Sequence, residues 1–383
     1  MDVIRLLALR DTPLDVAEVL AAVEENRPTR VFVDSLTQLR FLSADVYQYR
    51  KQVLSFLRYL SGCGATVIFS SEHSTELPDD DLQFMSDGVI NLESTAAGAT
   101  VRVSKFRGSD FIRGPHQMRV RNGGVVVYAR SLPPPRKQER DERRQWSCGV
   151  KAIDAMLNGG IEAGTISLIT GPSGVGKSTL ASLFVAEAAR QERRAVVYLF
   201  EEEMQTFHRR CKALGIGMEK AFRDDKVSLE QVEPMRYMAD EFAMKVRRQV
   251  ENEDVELVVI DSTAGFELTL EGEDIRKRLH TMAKTLSRLG VTVILVNEVE
   301  SLMGEFKVSE KGISYLADNV IFLRYVEAGG ELRKAIGVLK KRLSDFDPRL
   351  HMYRIGGDAP ISVESGIEGL SGVMTSGPAT QEE

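Results

Sequence analysis

The chain is poor in cysteine, tryptophan and histidine, and it contains no long apolar run. Its three cysteines, Cys63, Cys148 and Cys211, are far apart, which excludes a zinc ribbon and argues against a disulfide framework. They read as small buried or half-buried thiols. The five histidines show no metal-ligand spacing. No stretch of about eighteen apolar residues marks a membrane span, and the N-terminus lacks the basic region and small-residue cleavage site of a secretory signal. A cytoplasmic protein without a membrane partner is expected. Net charge is −6, so no overall positive field points to nucleic acid. The single tryptophan, Trp146, reads as core or linker packing rather than a base-stacking platform.

What is present is an ordinary globular composition, 43% hydrophobic and 28% charged over 383 residues, enough for two domains with separate cores. Three consecutive prolines followed by a mixed charge run make 131–145 a semi-rigid linker. It separates residues 1–130 from a second domain over 146–371. The small, polar tail from Gly372 to Glu383 is expected to be disordered.

The two sides of the linker repeat each other. Val31-Phe-Val-Asp-Ser35 matches Val258-Val-Ile-Asp-Ser262, and Thr66-Val-Ile-Phe-Ser-Ser-Glu72 matches Thr292-Val-Ile-Leu-Val-Asn-Glu298. Asp87–Leu92 matches Asp318–Leu323, and Lys105-Phe-Arg107 matches Lys340-Lys-Arg342. Four matches in one order indicate a duplicated domain. The copies are unequal, because only 33 residues precede Asp34. The first copy therefore has no counterpart to the strand, phosphate loop and helix of the second, and no ATP site of that kind is expected in it.

Gly171-Pro-Ser-Gly-Val-Gly-Lys-Ser178 is a complete phosphate-binding loop, placed between an apolar strand at Thr165–Thr170 and a helix at Leu180–Ala189. Backbone N–H groups of Gly171, Pro172, Ser173, Gly174, Val175, Gly176 and the residues up to Thr179 can wrap a phosphate wherever an N–H exists. Pro172 contributes only its shape. Lys177 supplies the cation for the β- and γ-phosphates, and the Ser178 hydroxyl suits Mg²⁺. ATP and Mg²⁺ are the expected cofactors.

Apolar runs at Ala195–Phe200, Glu256–Asp261, Val291–Asn297 and Asn319–Tyr325 alternate with helical patterns at Met204–Leu214, Pro234–Glu251 and Glu273–Leu289. This is an α/β fold with a mostly parallel sheet between helices. Glu331–Arg342 and Leu350–Ile355 read as an antiparallel edge extension. Asp261 ends a strand, where a carboxylate can hold Mg²⁺ opposite Ser178. Glu201 and Glu202 end another, where carboxylates can deprotonate an attacking oxygen, with Glu203 as a helix cap. Lys340 and Arg342 point the same way on a strand and could stabilise transition-state charge in a neighbouring subunit.

Together these motifs resemble the KaiC family, two-domain RecA-superfamily ATPases and autokinases. The matching elements are Gly171–Thr179, Phe200-Glu-Glu202, Val258–Ser262, Arg324-Tyr-Val-Glu327 and Ala335–Arg342. The resemblance implies a RecA-like P-loop NTPase domain preceded by an incomplete copy of the same fold. It implies that Glu201 and Glu202 are a catalytic pair, and that Lys340 and Arg342 act in trans within a homo-oligomer, a hexamer in the family. It also places Ser314 and Tyr315 on the family's Ser-Thr phosphoacceptor pair, with Ser309 on a nearby hydroxyl position. Tyrosine in place of threonine leaves Ser314 as the better acceptor, and the missing first ATP site speaks against a clock-like timer. Two further classes stay open: a non-kinase conformational switch that recruits a signalling partner, and a RadA-like DNA-dependent ATPase. Against the latter stand the acidic balance and the Val299–Lys311 stretch, with two basic residues among several acids.

Overall fold

A computed structural model describes residues 16–37, 40, 45–72, 80–130, 133–134, 144–299, 315–328 and 330–364. Ser309, Ser314, most of the 131–145 connector and the tail from Gly372 lie outside them. The described residues fall into two compact units, one running to Asn91 with Arg102–Gly114 added, the other comprising Leu92–Val101 and the chain from Pro115 onward.

The first unit contains α1 (Val16–Asn26), β1 (Arg30–Val33), α2 (Val46–Gly62), β2 (Thr66–Phe69) and α3 (Asp80–Met85), and it shares β3 (Gly88–Thr95) and β4 (Gly98–Phe106) with the second. β1 and β2 are parallel, with Arg30 opposite Thr66. Alternation along a strand sends Val31, Val33 and Val67 to one face, where Val19 and Val23 of α1 and Phe56 and Leu60 of α2 pack on them. Phe32 and Ile68 take the other face and are 67% and 59% exposed.

In the second unit the hairpin of β5 (His116–Arg121) and β6 (Gly124–Tyr128) is followed by β7 (Gln145–Trp146), α4 (Lys151–Met156) and β8 (Ile161–Glu162). The nucleotide-type fold then runs β9 (Ile166–Gly171), α5 (Lys177–Arg190), β10 (Ala195–Leu199), α6 (Met204–Ala213), α7 (Met218–Arg223), β11 (Val227–Gln231), α8 (Ala239–Glu253) and β12 (Leu257–Asp261). It continues through α9 (Thr263–Thr269), α10 (Ile275–Arg288), β13 (Thr292–Glu298), β14 (Asn319–Ala328), β15 (Glu331–Lys341), β16 (His351–Ile355) and β17 (Ile361–Val363).

Nine strands form one sheet in the order β11-β10-β12-β13-β9-β14-β15-β16-β17. The first six are parallel and the last three antiparallel. The unbroken apolar runs are explained by burial on both faces. Val197, Leu199, Val259 and Ile294 meet Leu180 and Phe184 of α5. Their neighbours Val196, Tyr198, Val258 and Ile260 meet Phe242 of α8 and Leu279 of α10. Trp146 is buried, with the Arg193 guanidinium 4.6 Å from its ring centroid. Cys148 and Cys211 are buried and Cys63 is exposed, all three as free thiols.

The repeat seen in the sequence is present in the pairing. Leu257 stands opposite Thr292, as Arg30 stands opposite Thr66, 227 and 226 positions earlier. Val259 and Ile294, the counterparts of Phe32 and Ile68, are the residues that α5 covers. Expected and observed elements agree closely, with one helix displaced at its start. The helix expected from Pro234 begins at Ala239, because Met235 adopts φ 61° and turns the chain out of the helical path. The Glu241 carboxylate then accepts from the Met238 N–H. The hairpin β5–β6, on the near side of the expected connector, packs on α8, where Tyr128 and Arg121 both donate to Glu241 at 2.7 and 2.6 Å.

Candidate nucleotide-binding site

β9 delivers the chain to the loop and α5 takes it away. Gly176 caps α5 with φ 112°, a left-handed conformation that side chains resist, and a Cβ there would lie 2.4 Å from Ile355 Cδ1. A Cβ on Gly171 would lie 2.2 Å from the Leu323 carbonyl oxygen. The loop is propped from β14, β15 and β16. Tyr325 donates to the Ser173 carbonyl at 3.4 Å, Lys334 to the Gly174 carbonyl at 3.1 Å, and Tyr353 to the Val175 carbonyl.

Lys177 is buried at the first position of α5. Its ammonium donates to the Pro172 carbonyl at 2.8 Å and lies 3.4 Å from Glu298 Oε2. Burial lowers its pKa, while Glu298, Asp261 and Glu201 oppose that shift. Asp261, at the end of β12, has its pKa pushed up to about 6. Desolvation is the main cause and Glu202 adds to it; the Ser178 hydrogen bond, Arg210 and Lys177 pull the other way. The Ser178 hydroxyl is thus near enough to Asp261 to favour its charged form.

Glu201 and Glu202 follow β10. Glu201 accepts from the Ser262 hydroxyl at 2.6 Å, and Ser262 Oγ accepts from the Gly265 N–H at 3.1 Å. Gly265 leaves the room this needs, since a Cβ there would sit 2.9 Å from Glu201 Cγ. Glu202 is held by Arg210 of α6 at 3.0 and 2.8 Å. Glu203 occupies the N-cap position of α6, but its side chain makes no capping hydrogen bond, so its expected capping role is positional only. Beneath the site, Asn297 accepts from Thr263 at 2.8 Å and donates to Thr170 at 3.1 Å.

Lys340 and Arg342 lie elsewhere. Lys340 donates to the Ala317 carbonyl at 2.6 Å; Arg342 donates to Asp318 at 3.1 Å and to the Tyr315 carbonyl at 3.1 Å. Asp318 in turn accepts from the Ile166 N–H at 3.0 Å. Ile166 is the first residue of β9 and the loop leaves its last, so these cations sit roughly 15 Å along the strand from their own phosphate loop. Tyr315 is 67% exposed, with its ring 5.7 Å from that of His280.

A strand-loop-helix phosphate cradle, a strand-end Asp against the loop serine, and a glutamate at the neighbouring strand end make a P-loop NTPase centre. The family model for the KaiC ATPase matches residues 12–131 and again 146–367. The chain belongs to the KaiC family of ATPases. Among similar proteins, a circadian clock oscillator protein KaiC of Prochlorococcus marinus subsp. pastoris is 25% identical over 353 residues, 90% of this chain and 69% of its own. The KaiC of Rippkaea orientalis is 26% identical, with 91% and 68% covered. KaiC 1 of a Synechocystis species is 25% identical, with 90% and 68% covered.

Of the residues singled out from the sequence, the loop, Lys177, Ser178, Asp261, Glu201 and Glu202 come together, while Lys340, Arg342 and Tyr315 do not join them within one chain. Sequence reasoning missed Glu298, which ends an apolar strand as Asp261 does and was open to the same argument. It also missed Arg210, Lys334, Tyr325 and Tyr353, whose roles arise only when distant segments meet. Among the described residues no three or more His, Cys, Asp or Glu side chains form a metal cage. Ser178 and Asp261 fit a cation that takes its remaining ligands from phosphate and water. No helix among the described residues is long and apolar enough to cross a membrane.

Proposed function

We propose that the second domain binds Mg·ATP and hydrolyses it slowly, and that it transfers phosphate to its own Ser314. Lys177 neutralises the β- and γ-phosphates, and Ser178 with Asp261 would hold Mg²⁺, which supplies charge neutralisation at the transferring phosphate. Glu201 takes the proton from the attacking oxygen, water in hydrolysis or a serine hydroxyl in transfer. The observation that carries this reading is the meeting of strand ends at one loop: the Phe200 N–H, just before Glu201, donates to the Asp261 carbonyl at 2.9 Å, and the buried Lys177 ammonium lies 3.4 Å from Glu298 Oε2.

Lys340 and Arg342 are held at the Asp318 end of β9, roughly 15 Å along the strand from their own loop, which supports the reading that they serve a neighbour in a ring, hexameric as the family resemblance implies. A nucleic-acid role has no support in the site. The names of the relatives suggest a regulatory setting, in which a signalling protein partner would read the assembly. The test is prolonged incubation of purified protein with Mg·ATP, following phosphate release and mapping Ser309, Ser314 and Tyr315 by mass spectrometry. Phosphate on Ser314 supports the autokinase. Measurable hydrolysis with all three unmodified favours a plain ATP-driven switch, a reading supported by the tyrosine in the second acceptor position.

A further inference from the structure

The two glutamates after β10 are adjacent in sequence and differ in company. Glu201 meets one hydroxyl, that of Ser262. Glu202 has both carboxylate oxygens engaged by one guanidinium: Arg210 Nε reaches Oε1 at 3.0 Å and Nη2 reaches Oε2 at 2.8 Å. The pair is half-buried, each side chain 21% exposed. Arg210 does not stop there. Its Nη1 donates to Ser182 Oγ at 3.3 Å, and that hydroxyl donates to the Ser178 carbonyl at 2.7 Å. The Phe207 ring, one turn earlier on α6, lies 5.0 Å from the guanidinium carbon and fixes it from the side. Arg210 therefore ties the second glutamate to the first turns of the phosphate-loop helix.

We propose that Arg210 is a positioning residue of the nucleotide site: it commits Glu202 to a structural ion pair and leaves Glu201 as the member of the glutamate pair that can accept the proton. The inference rests on the ATPase reading and deepens it. A carboxylate with a charge-assisted bond to each oxygen is a poor base, since a proton must displace a guanidinium nitrogen. Glu201, with a single hydroxyl donor, keeps most of its acceptor sites for water or a serine hydroxyl. Because the contact is fork to fork, a lysine cannot replace it: an ammonium is a point charge without the second parallel bond. In the hydrolytic step the water oxygen forms its bond to the γ-phosphorus as the bond to the β-γ bridging oxygen breaks. The water proton goes to Glu201, and ADP leaves with the bridging oxygen.

The experiment is a set of variants of the full chain, Glu201→Gln, Glu202→Gln, Arg210→Gln, Arg210→Lys and Glu202→Gln/Arg210→Gln, assayed for Mg·ATP hydrolysis. Glu201→Gln is expected to lose roughly a hundredfold or more in kcat. Glu202→Gln and Arg210→Gln each lose about tenfold, with KM within about twofold, since each strands the other's half-buried charge. The double variant loses no more than either single one, and Arg210→Lys does not restore wild-type kcat. Glu202→Gln falling as far as Glu201→Gln, or a double variant multiplying the single losses, would overturn the assignment. A second readout needs no hydrolysis. In nucleotide-free protein each single substitution should lower Tm, and the double should lower it by less than their sum. Additive Tm shifts would show that the ion pair does not form in solution and would also overturn it. A wild type that never hydrolyses ATP would sink the ATPase reading and the base assignment, while the Tm cycle would still decide the ion pair.

Discussion

Arg342 and Asp318 form in the second unit, at 3.1 Å, the ion pair that Arg107 and Asp87 form in the first, at 3.2 Å. The match extends to the preceding lysine: Lys340 donates to the Ala317 carbonyl, and Lys105 donates to the Gln83 carbonyl at 2.9 Å. The two arginines are 45% and 62% exposed, so each pair stabilises its unit by no more than about 1 kcal/mol. The phosphate loop at 171–178 lies in the second copy, and the proposed trans role gives Arg342 a neighbour's loop to serve. Arg342→Ala should therefore lower hydrolysis by roughly a hundredfold or more, while ATP affinity and Tm change little. Arg107→Ala should leave hydrolysis as it is. Activity measured against protein concentration checks this. Wild-type specific activity independent of concentration in a monomeric protein would reject the trans role.

Asp261 gives a pH signature. The folded protein holds its proton up to about pH 6, against an ordinary value of 3.8. Folding therefore takes up a proton between these values. The group's contribution is most favourable below about pH 4, declines as pH rises to about 6, and is then constant, for a total of about 3 kcal/mol at most. Asp261→Asn removes that decline. The nucleotide-free variant should match the wild type in acid and become more stable than it above pH 6, while losing Mg-dependent hydrolysis. Tm measured from pH 4 to 8 on both proteins tests the point; parallel curves would contradict a buried carboxylate whose desolvation its neighbours only partly offset.

Tyr353 offers a test of the loop's support. Its ring is buried and its hydroxyl donates to the Val175 carbonyl inside the phosphate loop. Tyr353→Phe leaves the packing and removes the donor, at a cost of about 1 to 3 kcal/mol. Weaker ATP binding should accompany the lower Tm, since the loop loses one of its three props. Calorimetric titration of Mg·ATP into the variant checks this, and unchanged affinity would show that Tyr325 and Lys334 suffice.

The phosphate loop and Asp261 were legible in the sequence because their signals are local: an apolar run, a glycine pattern, a helix start. The repeat was legible too, and the like strand pairing follows from it, with offsets of 227 and 226 that differ by a single residue. Glu298 follows from the same strand-end rule, since it closes an apolar strand as Asp261 does. Arg210 was not legible, because an arginine eight positions after Glu202 has no periodic relation to it until the turn before α6 brings them together. The packing of β5 and β6 on α8 was also hidden. Gln117 accepts from the Asp240 N–H at 2.7 Å across more than a hundred residues, and no spacing in the chain announces it.

The central claim is one ATP site, built around Lys177 in the second domain. Titration calorimetry of Mg·ATP into wild type and Lys177→Ala tests it most directly. The wild type should bind one nucleotide per chain. The variant should bind none, because no other cation of the loop reaches the β- and γ-phosphates and residues 1–130 contain no second phosphate-loop motif. Stoichiometric binding that persists in Lys177→Ala would contradict both the site and the silence of the first copy.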